Sequence, residues 1–419
     1  MNKLRALTLA AFVASLVACS GVPANDPSQA DKTTANIAPL TDIYDTVWIR
    51  GEDGIVKTLD QVADDLSRYD VVFFGEFHGH SGIHLAQMQM FRALQQRYPD
   101  MTLSLEQFER DTQPLLDQYL AGDIGEKVLE EDGRAWPNYK QSYRPLVEYS
   151  KDNGLPVVAA NAPKQAVICV SKKGPEILDE IPMPDRTWVA AELHIEEGAY
   201  LDKYRSFIMN SSTHGPDKKD ADDAEKNGRC ADTGTETDVE VEAEVEVEAD
   251  VEVEVEAETD ESAAETGKNT HAMAPMEGSG EDMSEMMQAM IMKSFSSQVL
   301  RDDTMAESIA IHLQENPGRK VLHLDGNFHS ASHLGTVERL KLRMPDLKIA
   351  VINPIAVEDN NSPAWTEEDA ATGDYILLVR EMPEMFVCEA RELEFQRKTI
   401  KKRMGNKCVY SQETAQQEE

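Results

Sequence analysis

An α/β fold built on a mainly parallel sheet is what this sequence predicts, on three observations. Short apolar, β-branched runs recur along the chain, helical patterns separate them, and two of the runs end in the same Gly-x-Phe-His tetrapeptide. Strands divided by helices pair in parallel and bury both faces of the sheet. Ligands of such sheets collect at the carboxyl ends of the strands. The two tetrapeptides leave their strands at that edge.

The N-terminus reads as an address. Lys3 and Arg5 precede the apolar stretch Leu7 to Ala14, which only Thr8 interrupts. Leu16-Val17-Ala18-Cys19 then resembles a bacterial lipobox, in which the cysteine is diacylated and becomes the first residue after cleavage. Ser20, in place of Asp, matches the outer-membrane sorting pattern, so the expected location is the cell envelope, anchored to the outer membrane through Cys19. Residues 1–19 are the signal, and residues 20–38, rich in Ser, Thr, Asn, Asp and Pro, are a flexible tether.

Residues 39–212 and 286–405 are expected to form one domain. A helix around Leu59 to Ser67 leads into the strand Asp70 to Gly75. A helix follows over Ser81 to Arg97, where Ile83, Leu85, Met88, Phe91 and Leu94 recur at helical spacing. Thr102 to Leu105 is the next strand, then helices around Thr112 to Leu120 and Ser142 to Asp152. Further strands are expected at Pro156 to Ala160 and Trp188 to Ala191. A long helix over Met286 to Leu313 precedes strands at Lys320 to Leu324, Leu347 to Asn353 and Tyr375 to Val379. Residues 406–419 are a tail.

The interruption, residues 213–285, has a different chemistry. Between Pro216 and Glu285 stand 25 acidic and 5 basic residues, a net of −20 out of the chain's −36. Val239 to Glu258 alternates small apolar and acidic residues; as a strand it would set unpaired carboxylates on one whole face. The segment therefore reads as a solvated low-complexity insertion with too little apolar surface to order itself. A charge balance of this sign also excludes nucleic acid as partner, since phosphate recognition needs Lys/Arg patches. Met273, Met276, Met283, Met286, Met287, Met290 and Met292 follow, soft thioethers that read first as packing on a helix face and second as ligands.

Four cysteines remain besides Cys19: Cys169, Cys230, Cys388 and Cys408. They allow three pairings, of which Cys388 with Cys408 is preferred, since it closes a short charged segment. No Cys-x-x-Cys suggests zinc.

The chemistry concentrates at the strand ends. Gly75-Glu76-Phe77-His78 follows one apolar strand, Gly326-Asn327-Phe328-His329 follows another, and Thr102 to Leu105 ends in Glu106. Glycine lets the backbone turn sharply, and the side chains after it project over the sheet's edge. Imidazole with carboxylate is the common donor set for iron, zinc and acid–base work. His78 and His329 are the candidate metal ligands, expected to face one another, with Glu76 and Glu106 as acid–base partners. His80, His84 and His333 read as supporting or exposed.

On these residues the resemblance becomes specific. Asp70-Val-Val-Phe-Phe-Gly-Glu-Phe-His78 with His84 and Gln87, Leu105-Glu-Gln-Phe-Glu-Arg110, Trp136, Tyr143-Arg-Pro145, Asn161-Ala-Pro163, Arg301-Asp-Asp-Thr-Met-Ala306 and the Gly326 motif resemble the ChaN-like haem-binding lipoproteins of the Tiki superfamily. The match runs from about Asp42 to Arg380, broken by the acidic insertion. It implies duplicated βαβ halves, haem as ligand, iron acquisition at the envelope, and a homodimer holding haem near its interface with a tyrosinate on the iron. Tyr139 and Tyr143 are the candidate tyrosines, and Lys164 stands where the family often has Arg. Three functions compete: a haem-binding lipoprotein without turnover; a Tiki-like hydrolase with Glu76 or Glu106 as general base, using a divalent metal such as zinc or manganese, or metal-free as in the erythromycin-esterase branch; and a surface protein using the fold alone.

Overall fold

Eight strands pair into a single mixed sheet in the computed structural model, which describes residues 37–213 and 280–410. They are β1 (Val47–Arg50), β2 (Val56–Lys57), β3 (Val71–Glu76), β4 (Met101–Glu109), β5 (Val157–Asn161), β6 (Lys320–Gly326), β7 (Ile349–Val357) and β8 (Tyr375–Arg380), in the spatial order β2-β1-β8-β7-β3-β6-β4-β5. From β8 to β5 every pair is parallel; β1 runs antiparallel to both β8 and β2. All six residues of β3 are buried, the continuous apolar reading that a strand covered on both faces requires.

One face carries α1 (Leu59–Leu66), α2 (Ser81–Arg97), α3 (Gln113–Ala121), α4 (Glu126–Glu131), α5 (Tyr139–Ser142) and α6 (Arg144–Asp152). Val62, Ile83, Phe91, Leu116 and Leu146 from this layer pack on Val72, Phe74, Leu105 and Leu324. Thr58 starts α1 with a capping box: its hydroxyl accepts from the Gln61 N–H, and the Gln61 side chain accepts from the Thr58 N–H. The other face carries α7 (Lys164–Lys173), α8 (Ala199–Thr213), α9 (Gly280–Glu315) and α10 (Thr336–Arg343), and the short α11 (Glu367–Ala370) stands between β7 and β8. There Ala306, Ile309, Val337 and Leu340 cover Phe73, Val321 and Val351.

Register decides where the two motifs meet. In the β3–β6 ladder Gly75 lies beside Asp325 and Glu76 beside Gly326, so the two Gly-x-Phe-His turns leave neighbouring strands side by side. A Cβ on Gly75 would stand 3.0 Å from the Asn327 Cα, so glycine is what lets the two turns approach.

Several expectations need correction. Trp188–Ala191 is no strand: Asp185–Trp188 is a 3₁₀ turn, and the Ala190 N–H goes to the Thr304 hydroxyl at 3.1 Å while its carbonyl accepts from Arg186 at 2.8 Å. Side chains satisfy that backbone where a neighbouring strand would have. The edge hairpin β1–β2 escaped the sequence reading. Met286 and Met287 do not pack, being 49 % and 43 % exposed, and the buried face of α9 begins near Ser294 and Phe295. Cys388 does not pair with Cys408; Cys169 does, across 239 residues, and Cys388 is disulfide-bonded elsewhere. Spacing favoured a short loop, whereas the fold brings the C-terminus against α7. Cys19, Cys230, the tether and most of the acidic insertion lie outside the described residues. Among the described residues no helix is long and apolar enough to cross a membrane.

Candidate functional site

Two buried polar clusters occupy the carboxyl ends of β3, β4 and β6, one under each helical layer. The first centres on Glu76, the last residue of β3 and fully buried. Its Oε1 accepts the Tyr143 phenol, lies 2.8 Å from His78 Nδ1 and takes a longer 3.4 Å hydrogen bond from Gln107. Its Oε2 accepts from Gln87 Nε2 at 2.8 Å, with His84 Nδ1 at 3.6 Å. Helical spacing sets His84 and Gln87 three residues apart on one side of α2, where Gln87 Oε1 also meets His84 Nδ1 at 3.0 Å. Tyr143 stands between α5 and α6, its N–H still bonded to the Tyr139 carbonyl.

Burial alone would push the Glu76 carboxyl up. His84, His78 and the Tyr143 hydrogen bond outweigh it and hold the group below the usual carboxylate range. The same burial, with Glu76 beside it, pushes the Tyr143 phenol well above its ordinary value. Trp136 closes the outer side, edge-on to His78 at 4.9 Å between ring centres.

The second cluster joins β4, α9 and the loop after β6. Glu106 Oε2 accepts the Gly326 N–H at 2.7 Å, and its Oε1 lies 3.4 Å from His329 Nε2. His329 Nδ1 is 2.7 Å from Asp302 Oδ1, and Asp302 also accepts from Thr336 (2.9 Å) and Tyr200 (2.6 Å). Burial would discharge the imidazole, but Glu106 and Asp302 hold its proton well above the ordinary range. Reciprocally, burial is overridden by His329 at Glu106, which stays far below a normal carboxylate. Gly335, at φ +57°, turns the chain directly behind: a Cβ there would meet the His329 carbonyl at 2.4 Å.

Beneath this pair lie Asp325 and His323, both fully buried. Burial drives the Asp325 carboxyl well above its usual value and lowers His323 to about 3, so burial pushes both toward their uncharged forms. Asp325 accepts from Ser330 at 2.9 Å and His323 Nδ1 meets Ser104 at 2.9 Å, while Asp325 Oδ2 and His323 Nε2, 3.9 Å apart, have no hydrogen-bond partner.

The candidate residues thus separate. His78 belongs with Glu76, and His329 with Glu106 and Asp302, on adjacent strands. Tyr139 is buried against Phe108 with its hydroxyl unpartnered. Lys164 is exposed at the start of α7. Its backbone, like the Arg134 guanidinium, bonds Glu109 at the end of β4. His80 caps α2 by accepting from the Ile83 N–H, and His333 pairs with Asp374 at 3.1 Å on the surface. Gln107, Tyr200 and Asp325 carried no role in the sequence reading. Asp302 was visible only inside a family-like hexapeptide, although two adjacent aspartates amid apolar helix positions were a usable signal. Among the described residues no group of three or more His, Cys, Asp or Glu side chains is arranged to hold a metal ion.

Compared with known proteins, residues 62–340 match the model of the family described as haem-binding uptake, Tiki superfamily, ChaN. The chain belongs to this family. A solved structure described as cofacial heme binding to ChaN of Campylobacter jejuni is 14 % identical, with 80 % of this chain and 98 % of that one covered at a TM-score of 0.49. A mutant of the erythromycin esterase EreC in its open conformation is 12 % identical, covering 82 % and 99 % at 0.38. Among curated proteins, RETICULATA-RELATED 5 of Arabidopsis thaliana, a chloroplastic protein, is 27 % identical over 145 residues, 33 % of this chain. The chain spans 20 % of that relative's length.

Proposed function

We propose that this protein is an envelope lipoprotein that binds haem, for iron acquisition or haem handling, without turnover. The observation that carries the reading is membership of a haem-binding family across residues 62–340. The lipobox at Cys19, outside the described residues, supports an outer-membrane anchor, and the family resemblance supports a homodimer.

Which residues fit haem follows from exposure. Glu106, His329, Tyr139 and Tyr143 are closed off, at 5 % exposure or less, so a macrocycle has no entry to them. At the rim the margin is small: the His78 side chain is 10 % exposed against 7 % for His329, so haem there needs the Trp136 side chain to give way. The His78 Nδ1 is engaged by Glu76, an arrangement that orients an imidazole toward iron through its other nitrogen. Trp136 beside it offers a flat apolar contact, while Arg134 is already paired with Glu109 and Asp111, and the exposed Lys164 stands by the same Glu109. A tyrosinate from Tyr139 or Tyr143 would require ionising a phenol that burial holds protonated. Bound haem would supply the iron; the chain's residues hold and orient it. The test is a visible-region haem titration of the parent and of His78→Ala. A Soret shift in the parent, with affinity about 10-fold weaker or more in the variant, is expected. No Soret shift in the parent sinks the function, and an unchanged variant moves the ligand elsewhere.

A second reading, hydrolysis, has its own support. Glu106 shifted down beside His329 and Asp325 shifted up is the opposed set of titrating groups that acid–base catalysts use. Ester and peptide substrates, offered with and without zinc or manganese, test it, and loss of turnover in Glu76→Gln or Glu106→Gln would identify the base.

A further inference from the structure

The last helix, α12 (Glu389–Gly405), is an exposed basic element on an acidic protein. From Phe395 to Gln412 there is no acidic residue, while Arg397, Lys398, Lys401, Lys402, Arg403 and Lys407 stand in that stretch. At 100° per residue, Leu393, Ile400 and Met404 fall on one side, with Arg397 and Lys401 along its flank. Ile400 and Met404 are 37 % and 58 % exposed, and the segment leading in exposes Met382, Met385 and Val387. Phe395 points the other way, against Phe386 at 5.2 Å. The element is held at both ends: Cys388 is disulfide-bonded just before it, and buried Cys408, three residues beyond it, is bonded to Cys169.

We propose that α12 docks on an anionic phospholipid surface. An apolar stripe flanked by cations is the pattern of a helix lying in a bilayer interface, where apolar side chains enter the acyl boundary and cations meet the headgroups. Charge complementarity selects anionic lipid, and the exposed Ile400 and Met404 select a bilayer over a soluble polyanion. The docking does not depend on acylation of Cys19.

The experiment uses the chain from Ser20 onward, which keeps every described residue and no acyl site, co-sedimented with phosphatidylglycerol or phosphatidylcholine vesicles. The parent should bind the phosphatidylglycerol vesicles and not the phosphatidylcholine ones. Each exposed cation removed should weaken binding about fivefold, so Arg397→Gln with Lys401→Gln and Lys407→Gln should lose on the order of 100-fold. Ile400→Ser with Met404→Ser should also weaken it, with unchanged melting for both variants because the side chains are exposed. Equal binding to the two vesicle types, or a triple variant that binds as the parent does, overturns the proposal. Binding that emerges only after removal of residues 216–279 also overturns it, since the acidic insertion would then be the occupant of α12.

Discussion

Asp302→Asn probes the charge assigned to His329. In the parent the imidazole is clamped, Nδ1 2.7 Å from Asp302 and Nε2 3.4 Å from Glu106. An asparagine of the same shape can still accept from Tyr200 or Thr336, but an amide N–H turned toward His329 meets a donor with a donor. Breaking one partner of a buried ion pair costs about 3–5 kcal/mol. The pH dependence is the sharper readout. The folded His329 holds its proton above the ordinary histidine range, so its contribution is complete below about pH 6.5 and is lost as pH rises through the folded value. In the parent that loss is bounded by about 1.4 kcal/mol per pH unit. With Asp302 neutral the folded pKa falls toward the unfolded one and the slope shrinks. Urea unfolding at pH 6.5, 7.5 and 8.5 measures both effects. If parent and variant lose stability in parallel across that range, His329 is not held charged by Asp302 and the account of the cluster is wrong.

Asp325→Asn should be tolerated. Burial raises the parent's carboxyl above its unfolded value, so the parent loses stability as pH rises above about 4, and the variant should gain on the parent over that range in the same unfolding assay. Cys169→Ser with Cys408→Ser removes a cross-link spanning 239 residues and should cost about 2–5 kcal/mol, read as a lower melting temperature. Cys19→Ser should release the protein from the membrane fraction or leave it as precursor; continued palmitate labelling would refute the lipobox reading.

The parallel core was legible because each of its strands is a nearly continuous buried run. The edge hairpin was not: β2 has two residues, and β1 is tied to β8 by a pairing over three hundred positions away in sequence. The Cys169–Cys408 bridge escaped for a related reason. Loop-closure cost grows only slowly with length, so short spacing was weak evidence for Cys388 with Cys408. The Trp188–Ala191 misreading is local: an apolar run satisfied by Thr304 and Arg186 carries the same composition as one satisfied by a ladder.

At the site, the sequence disclosed the residues the backbone itself presents, while those that helices deliver surfaced only through the family resemblance, without their partners. Glu76, His78, Glu106 and His329 stand on or just after strand ends, where glycine marks the turn. Gln87 and His84 reach Glu76 from α2, Asp302 reaches His329 from α9, and Tyr143 reaches Glu76 from a break between two short helices; only packing converts those positions into partners. That packing also divides the chemistry. Replacing a buried ion pair by apolar side chains is often neutral or stabilising, so an interior built for stability alone had no need of Glu106, His329 and Asp302 together. Haem at His78 needs a face that a side chain 10 % exposed offers only in part, whereas an acid–base set needs a water-excluded interior such as the one that raises both His329 and Asp325. His78 follows β3 and His329 follows the neighbouring β6, so substitutions at His78 and at Asp302 test the two readings separately.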